Sequence, residues 1–91
     1  MSYGPIRCKF NVGRLSVEVD LSKWDCNRES AHCHVCANGY RVGQVWLDSI
    51  TFESVPSELS FREVNNVLRA IADHRYELNN AYENNRKYGS D

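Results

Sequence analysis

The sequence predicts an α+β fold: a small antiparallel sheet of four or five strands in two hairpins, with one long or two consecutive C-terminal helices packed on one face. Three observations carry this. Apolar and polar residues alternate through the first half of the chain, an Asn38-Gly39 pair separates two such runs, and from Phe61 onward the apolar spacing becomes helical.

Taken in order, Ile6–Phe10 and Leu15–Val19 alternate and read as strands, with Gly13 supplying the tight turn between Asn11 and Arg14. Leu21–Ser30 is dominated by polar residues and reads as a loop with Trp24 and Cys26 embedded in it. Asn38-Gly39 suits a type I′ turn, which needs positive φ at both central positions, so His34–Ala37 and Tyr40–Leu47 form a hairpin. Ser49–Glu53 is a further short strand, and Pro56 marks a break. Ser60 and Glu63 then make a capping box, in which the hydroxyl takes the Glu63 amide and the carboxylate reaches back to the Ser60 amide. Phe61, Val64, Leu68, Ile71, Ala72 and Leu78 form the apolar stripe that follows, Tyr82 continues it, and Gly89 ends it. With no repeat and no linker, residues 1–91 read as one domain: a sheet over 6–53 containing a metal-binding loop at 21–36, and a helical part at 60–87.

A chain of 91 residues has room for one modest core, which a structural ion would supplement. Its net charge of −1 gives no basic footprint, which argues against nucleic acid as the primary partner. No secretory h-region and no apolar run of membrane length occur, so a soluble, cytoplasmic protein is expected. In that compartment cysteines read as metal ligands or free thiols before they read as disulfides.

The densest chemistry lies between Asp25 and Cys36. Cys26, His32, Cys33, His34 and Cys36 fall there, three of the four cysteines and two of the three histidines. Taken singly, each is more often a packed side chain than a ligand. Together they indicate an ion, because thiolate and imidazole are the donors zinc prefers.

Two geometries compete. With Asn38-Gly39 as a two-residue turn, Ala37 faces Tyr40, Cys36 faces Arg41, Val35 faces Val42 and His34 faces Gly43. Cys33, Val35, Ala37, Tyr40, Val42 and Trp46 would then share the core face, and His32, His34, Cys36 and Arg41 the other. Cys26 swings over to complete one structural zinc site of Cys26, His32, His34 and Cys36, with Cys33 the first substitute. Alternatively Cys33 and Cys36 form a zinc knuckle with Cys26 and one histidine or Cys8. Residues three apart cannot share a strand face, so the two geometries exclude each other. His74, between Asp73 and Arg75, reads as a solvated helix residue.

Residues 31–85 resemble a family of small, uncharacterised bacterial domains. The resemblance rests on Ala31-His-Cys-His-Val35, the Asn-Gly hairpin, Val45-Trp-Leu-Asp48 and a helix with His74-Arg-Tyr-Glu-Leu78 and Tyr82-Glu83. Such domains carry a Pro-His-x-His strand, a short hairpin and a His/Asn-Arg-x-x-Leu helix, and some are encoded beside small antitoxin-like partners. This chain has Ala31 in place of the proline, a longer segment from Val17 to Ser30, and Cys26, Cys33 and Cys36 as additions. The resemblance implies fold rather than activity.

Function is read in two ways. The first is a zinc-stabilised protein-binding module, an inhibitor of a bacterial defence or regulatory complex such as CRISPR–Cas; phage anti-CRISPR proteins are similar in size and in lacking an evident active site. Trp24, Arg28 and Arg41 are its expected anchors, since Trp and Arg dominate binding hot spots. The second is a ribonuclease toxin of a toxin–antitoxin module, with His32 and His34 as acid and base and Arg41 on the phosphorane. A surplus of thiols favours a closed, non-catalytic site and hence the first reading.

Overall fold

Positive φ at Gly13 (+61°) fixes the first hairpin turn, and positive φ at Asn38 (+53°) and Gly39 (+82°) fixes the second, as the Asn-Gly pair requires. In the computed structural model, which describes residues 3–91, the sheet grows outward from these turns. Strands β1 (Lys9–Val12), β2 (Leu15–Glu18), β3 (His32–Ala37), β4 (Tyr40–Trp46) and β5 (Thr51–Phe52) lie in sequence order, each antiparallel to its neighbour. Helices α2 (Phe61–Asp73) and α3 (Arg75–Tyr88) follow, and α1 (Lys23–Arg28) bridges β2 to β3. The fold is the α+β arrangement expected, with five strands and two C-terminal helices.

The helices and sheet meet through Leu15, Val17, Cys33, Val35 and Val45 on one side and Val67, Ile71, Leu78 and Tyr82 on the other. The capping box at Ser60 forms with both of its hydrogen bonds, 3.1 Å and 3.0 Å. Arg14 reaches from the first hairpin to the same Glu63 at 2.6 Å, which fastens the start of α2 to the sheet. The break between α2 and α3 falls at His74. Its ring stacks on Phe10 at 4.2 Å and its Nδ1–H donates to the Ala70 carbonyl at 2.9 Å, so it packs between helix and sheet instead of standing in solvent.

The expected hairpin register holds only next to the turn. Ala37 faces Tyr40 and Cys36 faces Arg41, but Val35 then faces Gly43 and His34 faces Gln44. A bulge between Val35 and Cys36 leaves Val42 as an extra residue on β4, and one extra residue exchanges the faces of everything beyond it. Val45 and Leu47 therefore fill the core, while Trp46 lies opposite His32 on the other face and is only half-buried. Tyr40 is exposed at the hairpin tip. Gly43, which stands opposite Val35, is required by close approach: a Cβ there would lie 2.8 Å from Pro56 and 2.9 Å from Phe52.

The segment expected as a loop contains a helix. Ser22 caps α1 by accepting the Asp25 amide at 3.4 Å, the spacing of an N-cap serine with an acidic residue three positions on. The C-terminal end of α3 closes against this segment, with Ser90 and Leu21 paired amide to carbonyl at 2.9 Å and Lys23 donating to the Ser90 carbonyl at 2.8 Å. Gly89 permits the approach, because a Cβ would meet the Leu21 carbonyl oxygen at 2.5 Å.

Candidate metal centre

On β2 and the two residues that continue it, Leu15, Val17 and Val19 point into the core, so Ser16, Glu18 and Asp20 face the other way. On β3, Cys33 and Val35 join the core cluster, and His32, His34 and Cys36 share the face of Glu18. Asp20 thereby meets both histidines. Its Oδ2 lies 3.1 Å from His32 Nε2 and 2.8 Å from His34 Nε2, with Asp20 5%, His32 2% and His34 8% exposed. One donor atom from each of the three lies within 4.8 Å of the others.

Hydrogen bonds to surrounding elements tether this group. His32 Nδ1 donates to the Ser30 carbonyl at 2.8 Å, and Arg41 donates to Asp20 Oδ1 at 2.7 Å. The Asp20 carbonyl accepts from the Asn85 amide nitrogen at 2.8 Å and from the Cys26 thiol at 3.4 Å. Tyr82, on α3, offers its hydroxyl to the carbonyls of Cys26 and Glu29, the ends of the segment that leads into β3. The helices thus hold the ligand-bearing loop from behind.

Both His32 nitrogens face acceptors, so a doubly protonated ring satisfies both contacts. Burial opposes that charge, but the Asp20 carboxylate and the Ser30 carbonyl outweigh it and raise the His32 pKa above its usual value. Burial likewise acts to raise the Asp20 pKa, and hydrogen bonds from His32, His34 and Arg41 reverse this, holding the carboxyl far below the usual carboxylate range.

These residues fit a divalent transition-metal ion. Two imidazole nitrogens and a carboxylate oxygen converge, and the second nitrogen of His32 is bound to a backbone carbonyl, the arrangement that fixes the tautomer of a metal-ligating histidine. An ion there would replace the protons between the rings and the carboxylate with one compact charge. A polar cavity of about 220 Å³ adjoins the group, lined among others by Asp25, Glu29 and Glu53 as well as Arg28 and Arg41.

The expected set of Cys26, His32, His34 and Cys36 is not what the structure brings together. The histidine pair is there, but neither thiol belongs to the group. Cys26 is in the core with its thiol on the Asp20 carbonyl, and Cys36 donates to Glu18 at 3.4 Å. Cys33 is a core side chain. Strand β3 runs unbroken through both cysteines of the Cys33-x-x-Cys36 pair, which puts them on opposite faces and leaves no knuckle. Burial first, and then Asp20 and Asp25, push the Cys26 thiol up to about 11; burial and Cys8 push Cys33 up to about 12. Both thiols therefore stay protonated at neutral pH in this arrangement. Asp20 is the residue that sequence reasoning missed. Alternation carried on from Glu18 puts it on the polar face, but only the pairing of β2 with β3 brings it to the histidines.

Of the expected partner anchors, Trp24 is 65% exposed on α1, Arg28 lies over its ring at 4.7 Å, and Arg41 is drawn into the centre. Comparison with curated proteins and with solved structures gives no match. The family model for a domain of unknown function, DUF4160, matches residues 18–83, a stretch that contains Asp20, both histidines and Tyr82. The chain belongs to this DUF4160 family.

Proposed function

We propose that the protein is a metal-dependent protein-binding module, in which Asp20, His32 and His34 hold one zinc ion and the segment braced by that ion presents Trp24 and Arg28 to a protein partner. The observation that carries the metal half is the convergence of two imidazole Nε2 atoms on one buried carboxylate oxygen. Support for the partner half comes from α1. Trp24 leaves the core unassisted and stands in solvent with Arg28 stacked on it, an exposed cation–π pair beside the ligand loop. A ribonuclease role for the histidines fits the geometry less well, because His32 is nearly inaccessible and bound at both nitrogens. A bacterial defence or regulatory complex is the target class we favour, on chain size alone.

Elemental analysis of untagged protein tests the metal half. About one zinc per chain is expected; no bound metal together with an unchanged melting temperature on adding zinc would overturn it. Trp24→Ala tests the other half: its melting temperature should match that of the parent while capture of the partner weakens.

A further inference from the structure

The two oxygens of Asp20 do different work. Oδ2 faces both histidines, and Oδ1 is occupied by the Arg41 guanidinium at 2.7 Å. Arg41 is itself held from behind by Glu18, whose Oε1 lies 3.6 Å from its Nε. The hairpin register places Arg41 opposite Cys36, on the histidine face, where this pairing is possible.

Resting on the metal-centre reading, we propose that Arg41 is a positioning residue that sets the ion selectivity of the Asp20–His32–His34 centre by restricting Asp20 to a single oxygen donor. A carboxylate that can offer one oxygen suits a four-coordinate zinc site built from nitrogen and oxygen donors. Ions that gather six or more oxygens often take a carboxylate through both of its oxygens, and here that mode is open only if the guanidinium is displaced. Glu18 compensates the Arg41 charge, so the strut adds little net repulsion toward a cation. The guanidinium is suited to the task because it is planar, always charged and donates along fixed directions.

The test uses the full-length, untagged chain with Arg41→Gln and Arg41→Lys, and zinc, manganese and cobalt as probes. Arg41 is half-exposed, so both variants should keep the far-ultraviolet spectrum of the parent. Competition titration should show zinc affinity falling about 10-fold in Arg41→Gln. The ratio of zinc to manganese affinity should fall with it, and Arg41→Lys, which keeps a cation on Oδ1, should restore most of that ratio. Cobalt bound to the parent should give the intense visible bands of low coordination, and these should weaken in Arg41→Gln as Asp20 supplies its second oxygen. A merely structural role would lower the melting temperature and leave the ratio and the cobalt bands unchanged, and that result would overturn the proposal while leaving the metal centre standing. A parent protein that binds none of the three ions overturns both.

Discussion

Asn85 serves Ile6 as a neighbouring strand would: its Oδ1 accepts the Ile6 amide at 2.7 Å and its Nδ2 donates to the Ile6 carbonyl at 3.0 Å. The same Nδ2 also reaches the Asp20 carbonyl. One fully buried amide therefore joins the N-terminal segment, the ligand loop and α3. Replacing it with leucine strips the Ile6 amide and carbonyl of their partner, at roughly 1–3 kcal/mol for each group left unsatisfied, and leaves the Asp20 carbonyl only the Cys26 thiol. Asn85→Leu should lower the melting temperature more than any exposed substitution on α3, as thermal denaturation will show.

Removing a ligand should separate the three-donor centre from the cysteine-based one. Asp20→Asn and His34→Ala should lose zinc in a titration, whereas Cys36→Ser should retain it. In the parent, zinc at a hundredfold excess over its Kd should stabilise the fold by about 2.7 kcal/mol, and this gain should vanish in Asp20→Asn. Retention of zinc by Asp20→Asn together with its loss from Cys36→Ser would restore the thiol set.

Cys26 and Cys33, raised to about 11 and about 12 by burial, should resist alkylation in the native protein at neutral pH. Mass spectrometry after brief iodoacetamide treatment should find the half-buried Cys8 labelled first. All four thiols should react once the chain is unfolded.

Gly43→Ala places a methyl group 2.8 Å from Pro56 and 2.9 Å from Phe52. Both belong to packed structure, so overpacking should cost about 1–3 kcal/mol, read as a lower denaturation midpoint.

Ser60→Ala removes one hydrogen bond of the capping box and should cost about 1 kcal/mol. The Arg14 guanidinium, with help from the Ser60 amide, pulls the Glu63 carboxyl down to about 2. Because its folded pKa is depressed, its contribution is present above the ordinary carboxylate range near 4.5 and is lost as pH falls toward 2. In Glu63→Gln the melting temperature should vary less with pH across that interval.

The hairpin turns and the capping box were legible because each is a local pattern, a turn dipeptide and a four-residue cap. The helical stripe was legible only in part: Ile71, Leu78 and Tyr82 are buried as expected, whereas Phe61 and Ala72 are exposed and Val67, outside the expected stripe, is fully buried. The histidine pair was legible as the turns were, being two residues apart on one strand. Asp20 was not, because its place beside His32 and His34 depends on the pairing of β2 with β3 across α1, which no local pattern announces. The cysteines are close to the histidines in sequence, but the fold points their thiols elsewhere. Cys26 lies on a helix capped by Ser22, and that helix turns the thiol into the core. Trp46 was assigned to the wrong face because alternation counts residues and cannot see a bulge.

That bulge gives β4 one residue more than β3 can pair. The strand carries its own spare, which makes it unequally tolerant of changes in length. A chain shortened by Val42 would regain an unbroken ladder, with Val45 still turned inward and Gln44 still beside His34. The loss of Gln44 would also close the bulge with Val45 still opposite Cys33, but it would set Val42 opposite Val35 in place of Gly43, where a side chain would meet Pro56 and Phe52. Insertions and deletions in this hairpin should therefore be accepted at position 42 and rejected a few residues later, although both sites lie on the same strand.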